Sequence, residues 1–123
     1  DKLKGYVDDS KRALIEIKVR SQPKADGDTV IVWIDTAFNG HLVFSRELID
    51  TLHLQQEAAT EAILADGSLV TLESFICFVE WGSKVVVAQV IANDGNTPLL
   101  GTELLSGCVL VVDYKAREII VTT

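Results

Sequence analysis

A chain of 123 residues with 48% hydrophobic content is long enough for one core without staples and too apolar for disorder. Its net charge of −7, with eleven scattered Lys and Arg, excludes a nucleic-acid partner, which needs a basic face, and leaves no cationic block for a membrane surface. No apolar run approaches the roughly 18 residues that span a bilayer. The segment Asp1-Lys2-Leu3-Lys4-Gly5 holds no signal-peptide core. With no Met in the chain, the natural start is expected to lie outside it. Cys77 and Cys108 sit far apart in apolar runs, which reads as two buried free thiols and favours a cytoplasmic location.

Residues 1–123 are expected to form a single domain. Lys2–Ser10 reads as a polar lead-in, with Asp8 and Asp9 as turn formers. Ala13, Ile15, Ile17 and Val19 alternate with other residues and predict a half-buried strand. Arg20–Asp28 has loop chemistry, with Pro23 and Gly27 as breakers. The unbroken run Val30–Ile34 predicts a strand buried on both faces, which would make 12–34 a hairpin with a long tip. Asn39-Gly40 reads as a tight turn before a brief strand, His41–Phe44. Ser45 then caps a short helix over 46–53, with Leu48, Ile49 and Leu52 at helical spacing.

Gln55–Ala59 reads as a connector. Thr60–Leu64 and Leu69–Thr71 flank Ala65-Asp66-Gly67-Ser68, a strong hairpin signal. The second arm continues to Trp81, and Trp81-Gly82-Ser83 turns it into Lys84–Ile91, where Val85-Val86-Val87 predicts another buried strand. A loop over 92–97 leads to Pro98-Leu99-Leu100-Gly101 and a helical turn, Thr102–Leu105. Cys108–Tyr114 and Glu118–Thr122 form a last hairpin. Short, regularly spaced strands with two small helices point to an all-β barrel.

Few residues suggest chemistry. His41 and His53 are the only histidines, and neither has a second ligand at metal-binding spacing, so no metal site is expected. Gly101-Thr-Glu-Leu-Leu-Ser-Gly107 lacks the Lys of a phosphate loop, and no nucleophile-elbow motif is present. Asp35 stands apart because an ionised carboxylate at the end of a buried strand needs donors or a partner. One reading is that its side chain caps the following turn. The other is acid chemistry on a peptide bond, which needs two carboxylates sharing a proton. The chain has Asp-Thr at a strand end only once, so the second copy would come from a two-fold dimer.

The order Ile34-Asp35-Thr36-Ala37-Phe38-Asn39-Gly40, then Ala65-Asp66-Gly67-Ser68, then Pro98-Leu99-Leu100-Gly101-Thr102-Glu103-Leu104-Leu105 resembles the retropepsin-like aspartic proteases. The small bacterial and archaeal members with an Asp-Thr-Gly-Phe motif are the nearest in pattern, and Gly5-Tyr6-Val7-Asp8-Asp9 with Arg12-Ala13-Leu14-Ile15 fits their start. The resemblance implies an all-β, closed acid-protease barrel with two short helices, completed by homodimerisation. It implies an aspartic endopeptidase acting on peptide or protein substrate, with no cofactor. Asp35 and its twin would be catalytic, and the Thr36 hydroxyl would lock the active-site loops of Thr36, Ala37, Phe38, Asn39 and Gly40 together. Leu99, Leu100 and Gly101 would brace that loop. Leu64, Ala65, Asp66, Gly67 and Ser68 would form the tip of a flap.

Several positions depart from the family pattern. Ala37 stands where Gly is usual, and it is tolerable there if its φ is below zero. Asn39 and Thr102 replace a retroviral acid–Arg pair, the flap lacks the retroviral run of glycines, and the terminal hairpin is complete. Two further readings accompany the peptidase: a catalytically weak or inactive retropepsin-fold module for dimerisation or peptide binding, and an unrelated ligand-binding β-barrel.

Overall fold

The alternation of Ile15, Ile17 and Val19 with Glu16 and Lys18 builds a strand whose apolar side is buried, and the same logic repeats around the molecule. A computed structural model describes residues 1–123. The elements are β1 (Lys2–Val7), β2 (Ala13–Arg20), β3 (Asp28–Ile34), β4 (Leu42–Ser45), α1 (Arg46–Thr51) and β5 (Gln55–Ile63). There follow β6 (Leu69–Trp81), β7 (Lys84–Asn93), β8 (Leu99–Leu100), α2 (Thr102–Leu105), β9 (Val109–Asp113) and β10 (Glu118–Thr122). The mostly-β architecture with two short helices is the one expected from the sequence.

The strand order is β5-β6-β7-β4-β8-β3-β2-β1-β10-β9, with a further β6–β2 pairing. Lys18, Val19 and Arg20 of β2 meet Glu80, Val79 and Phe78 of β6, which brings the ladder back on itself. The closure expected for a barrel is therefore limited to that short contact. β5 lies outside the circuit on one side and β1-β10-β9 on the other, so two edges stay free. Inside it, Ile15, Val32, Leu42, Phe44, Leu100 and Val90 belong to one hydrophobic cluster that reaches Ile119 and Val121 of the terminal wing.

Four expectations are corrected. Lys2–Val7 is a strand, not a lead-in: Leu3, Gly5 and Val7 face inward, and the strand pairs with both β10 and β2. Gln55–Ala59 is not a connector but the first half of β5, laddered to β6 from Gln55↔Ile76 to Ile63↔Leu69. β3 is buried on one face only, because Ile31 and Trp33 point away from the core and are exposed. Val85 and Val87 likewise face outward on β7, where Ala88 and Val90 supply the buried side.

The helix ends have local causes. Ser45 Oγ accepts the Leu48 N–H at 3.1 Å, satisfying one of the free donors of the first turn. α1 ends at Thr51, short of the expected 53, because His53 adopts φ 56, a left-handed conformation that a helix cannot carry. Gly82, at φ +64, makes the tight β6–β7 turn with Ser83, which suits a residue without a Cβ.

Both thiols are free; Cys77 is fully buried, whereas Cys108 is only half-buried. Burial pushes the Cys77 thiol up to about 12, so almost no thiolate is present at neutral pH. At pH 8 a thiol reagent is expected to modify Cys108 first and Cys77 only as fast as the core opens. Equal labelling rates in the native protein would contradict this packing.

Candidate active site

Neighbouring strands of the sheet position Asp35. β3 runs parallel to β8, with Trp33 opposite Leu99 and Ile34 opposite Leu100, while β4 pairs antiparallel to the other side of β8. Backbone bonds continue the seam past the strand ends. Trp33 N–H donates to Pro98 O at 2.8 Å and Asp35 N–H to Leu100 O at 2.9 Å. Gly101 N–H then donates to His41 O at 2.8 Å, Thr102 N–H to Phe38 O at 2.8 Å and Glu103 N–H to Gly40 O at 3.1 Å. The loop carrying Asp35 is thus stitched along its length to the segment 98–103.

The stitching explains Gly101. Its φ is −102, which any residue adopts, but a Cβ there would press into the Phe38 ring and the carbonyl oxygens of Phe38 and Gly40. Glycine is needed for close approach, not for its backbone freedom.

Asp35 itself is half-buried, and Thr36 and Ala37 beside it are exposed. Asp35 Oδ1 accepts the Ala37 N–H at 3.0 Å, while Phe38 N–H returns to Asp35 O at 3.2 Å. The turn-capping reading and a chemical role are therefore compatible. One carboxylate oxygen orders the turn, and Oδ2 has no hydrogen bond within the chain. Ala37 is absent from the residues with positive φ, so its methyl brings no left-handed strain. The Thr36 hydroxyl makes no hydrogen bond within the chain, and Thr36 is exposed beside Ala37.

A concavity of about 380 Å³ opens beside the carboxylate, lined by Trp33, Ile34, Asp35, Thr36 and Leu99. Trp33 is 38% exposed, and the Arg12 guanidinium lies 5.8 Å from its ring centroid. Asp8 holds that guanidinium through Nε at 2.8 Å and Nη2 at 2.7 Å. It also accepts the Arg12 and Ser10 N–H groups. These bonds, the one to the Arg12 backbone foremost, hold the Asp8 carboxyl below its ordinary value. Trp33 and Arg12 were not candidates in the sequence. Strict alternation from Val32 and Ile34 would have turned Trp33 outward next to Asp35.

The β5–β6 hairpin carries the second group of expected residues. Leu64 N–H bonds Ser68 O at 2.8 Å and Gly67 N–H bonds Leu64 O at 2.9 Å, with Gly67 at φ +85. Asp66 Oδ1 accepts from Ser68 N at 2.9 Å and Ser68 Oγ at 2.6 Å, and these bonds, the Oγ one foremost, lower the Asp66 carboxyl. The tip is thus ordered by its own side chains. At the root, Arg46 of α1 pairs with Glu73 of β6 at 2.8 Å, which lowers the Glu73 carboxyl and raises Arg46. No three His, Cys, Asp or Glu side chains converge as metal ligands, and no helix is long and apolar enough to cross a membrane.

No family model matches the sequence, and no curated protein does either. Among solved structures, the chain is similar to the crystal structure of a retropepsin-like aspartic protease from Rickettsia conorii. The two share 14% identity at a TM-score of 0.66, over 98% of this chain and 90% of that one. At that identity the likeness is one of fold: the chain has the retropepsin-like fold.

Three outcomes follow from this geometry. Gly101→Ala is expected to cost about 1–3 kcal/mol in denaturant unfolding through overpacking, whereas Ala37→Gly lowers stability by about 0.4–1 kcal/mol through the unfolded chain alone. A stabilising Ala37→Gly would reveal strain at that position. Because the Glu73 carboxyl is depressed in the folded state, its contribution is present above its ordinary value of 4.5 and is lost as pH falls through the lower folded value. Glu73→Gln should therefore flatten the acid limb of the stability–pH curve, and an unchanged limb would exclude the pair as a contributor.

Proposed function

We propose that the chain is an aspartic endopeptidase that works as a homodimer, with Asp35 and its twin as a dyad on the two-fold axis. The observation that carries this reading is the posture of Asp35. Its loop is braced from behind by the 98–103 segment, one oxygen is fixed by the Ala37 N–H, and the other is free beside an open concavity. A lone carboxylate so placed lacks the second group that acid-base hydrolysis needs. An isologous contact through the exposed Thr36-Ala37 turn supplies one, since a residue near a two-fold axis meets its own copy.

Two carboxylates about 3 Å apart do not both ionise readily, so one proton is shared between them. The charged member takes a proton from water as the water attacks the scissile carbonyl. The protonated member hydrogen-bonds the carbonyl oxygen, and a proton is later delivered to the departing amine. In this arrangement Thr36 ties the two loops together, Leu99, Leu100 and Gly101 hold them in register, and residues 64–68 cap a closing flap. An extended substrate runs between loop and flap, held by strand-like hydrogen bonds. Ile63 and Leu69 oppose each other across the hairpin and are 75% and 67% exposed, which suits a hairpin whose apolar side covers a substrate or partner chain.

The absence of positive φ at Ala37 removes the backbone argument for a decayed motif, and the peptidase is preferred to an inactive module on that ground. Denatured casein incubated with the protein at pH 4–6 should be cleaved. Asp35→Asn should lower the rate by at least about a hundredfold while leaving the fold intact by circular dichroism. Cleavage that survives Asp35→Asn, or that rises steadily through neutral pH, would sink this mechanism.

A further inference from the structure

His41 is half-buried at the entrance to β4, and it bonds in two directions. Its carbonyl O accepts the Gly101 N–H at 2.8 Å, inside the seam behind Asp35. Its imidazole Nδ1 accepts the Gln89 N–H of β7 at 3.2 Å. The parallel β4–β7 ladder begins one residue later, at Leu42↔Val90, so the imidazole supplies an acceptor at the end of the ladder.

From Gln89 the connection goes on. Gln89 Nε2 donates to Glu57 Oε1 at 3.1 Å. Glu57 sits where the β5–β6 register shifts, between Gln56 and Ala58, and a bulge re-aims the side chain it carries. Here the side chain passes across β6 to reach β7, two strands away in the sheet order. A continuous path, Glu57–Gln89–His41–Gly101, therefore joins the root of the β5–β6 hairpin to the segment that holds the Asp35 loop.

We propose that His41 and Gln89 are positioning residues that couple movement of the β5–β6 hairpin to the placement of Asp35, an inference that rests on the peptidase reading. The coupling is specific to the neutral imidazole. Accepting at Nδ1 requires the ring proton to be on Nε2, and the imidazolium would present a donor to the Gln89 donor. Taking up a proton thus severs the path at its middle link. The charged and titratable groups around the imidazole come from four places. Lys84 of β7, Glu103 of α2, Cys108 after it, and Asp1 beside Thr123 line the same cavity of about 450 Å³, while Glu57 lies beyond Gln89.

Substitution separates this role from simple packing. Asn at position 41 offers an acceptor that stays an acceptor at any pH, whereas Leu offers none. Where the imidazole is neutral, His41→Leu is expected to lower kcat/KM about tenfold, the scale of one lost hydrogen bond, and His41→Asn to rescue most of that loss. The ratio of His41→Asn to wild-type kcat/KM should be higher at the acid end of the pH profile than at the alkaline end, where the neutral imidazole accepts. Parallel pH profiles for wild type and both variants would overturn the proposal.

Amide hydrogen exchange at fixed pH reads the same path without any turnover. His41→Leu and Glu57→Ala should each speed exchange in the hairpin over 55–72, and His41→Leu should also do so at Gln89 and Gly101. Exchange identical to wild type in both variants would overturn the coupling even if the chain is a peptidase. Faster exchange in a chain that cleaves nothing would uphold the path and remove the peptidase reading instead.

Discussion

The short parallel seam between Trp33-Ile34 and Leu99-Leu100 is the constraint on which the rest depends. It is only two residue pairs long, yet the backbone bonds of Asp35, Gly101, Thr102 and Glu103 extend it into a clasp around the 35–41 loop. Gly101 makes the clasp possible by letting the Phe38 ring and two carbonyl oxygens come close. A backbone ladder of this kind fixes Asp35 more tightly than a surface loop would, because Leu100 and Gly101 at its centre are buried and hydrogen bonds are stronger away from water. The free oxygen of Asp35 can then face an open concavity without the loop losing its shape.

Around that clasp the sheet is asymmetric. Its inner circuit, from β6 round to β2, holds the hydrophobic cluster. β5 and the tip of β6 project from one side with little burial, and the β1-β10-β9 wing extends from the other. The projecting hairpin is tied back at its root by Arg46–Glu73 and by Glu57–Gln89. Its stability therefore depends on a few polar links and a ladder, the profile of a segment drawn from the low-stability end of a fold. The terminal wing pairs its own strands within one chain, with Lys2 opposite Thr122 and Thr123 N–H bonded to Asp1 O at 2.9 Å.

How much of this the sequence reveals depends on burial. The alternating β2, the Ser45 cap, the Asp66-Gly67 hairpin and the α2 turn are legible because each has a local cause. β1 and β5 are not. β5 is almost wholly exposed and carries no apolar periodicity, and β1 finds its partner strand more than a hundred residues away. The run Val30–Ile34 suggests two buried faces because composition cannot distinguish a covered face from an open one, where Ile31 and Trp33 stand. At the candidate site, Asp35 and Gly101 stand out as motif residues. The contact of His41 with Gln89 crosses strands that no local pattern links, so it emerges only from the fold.

The central claim is that one chain supplies half of an active site. It is tested most directly by mixing wild-type protein with growing proportions of Asp35→Asn under conditions that let subunits exchange, and measuring peptide cleavage at constant total protein. A dyad shared between two copies predicts that activity falls as the square of the wild-type fraction, because every mixed dimer is inactive. Activity that falls in simple proportion to the wild-type fraction would mean that each chain acts alone, and would contradict the account.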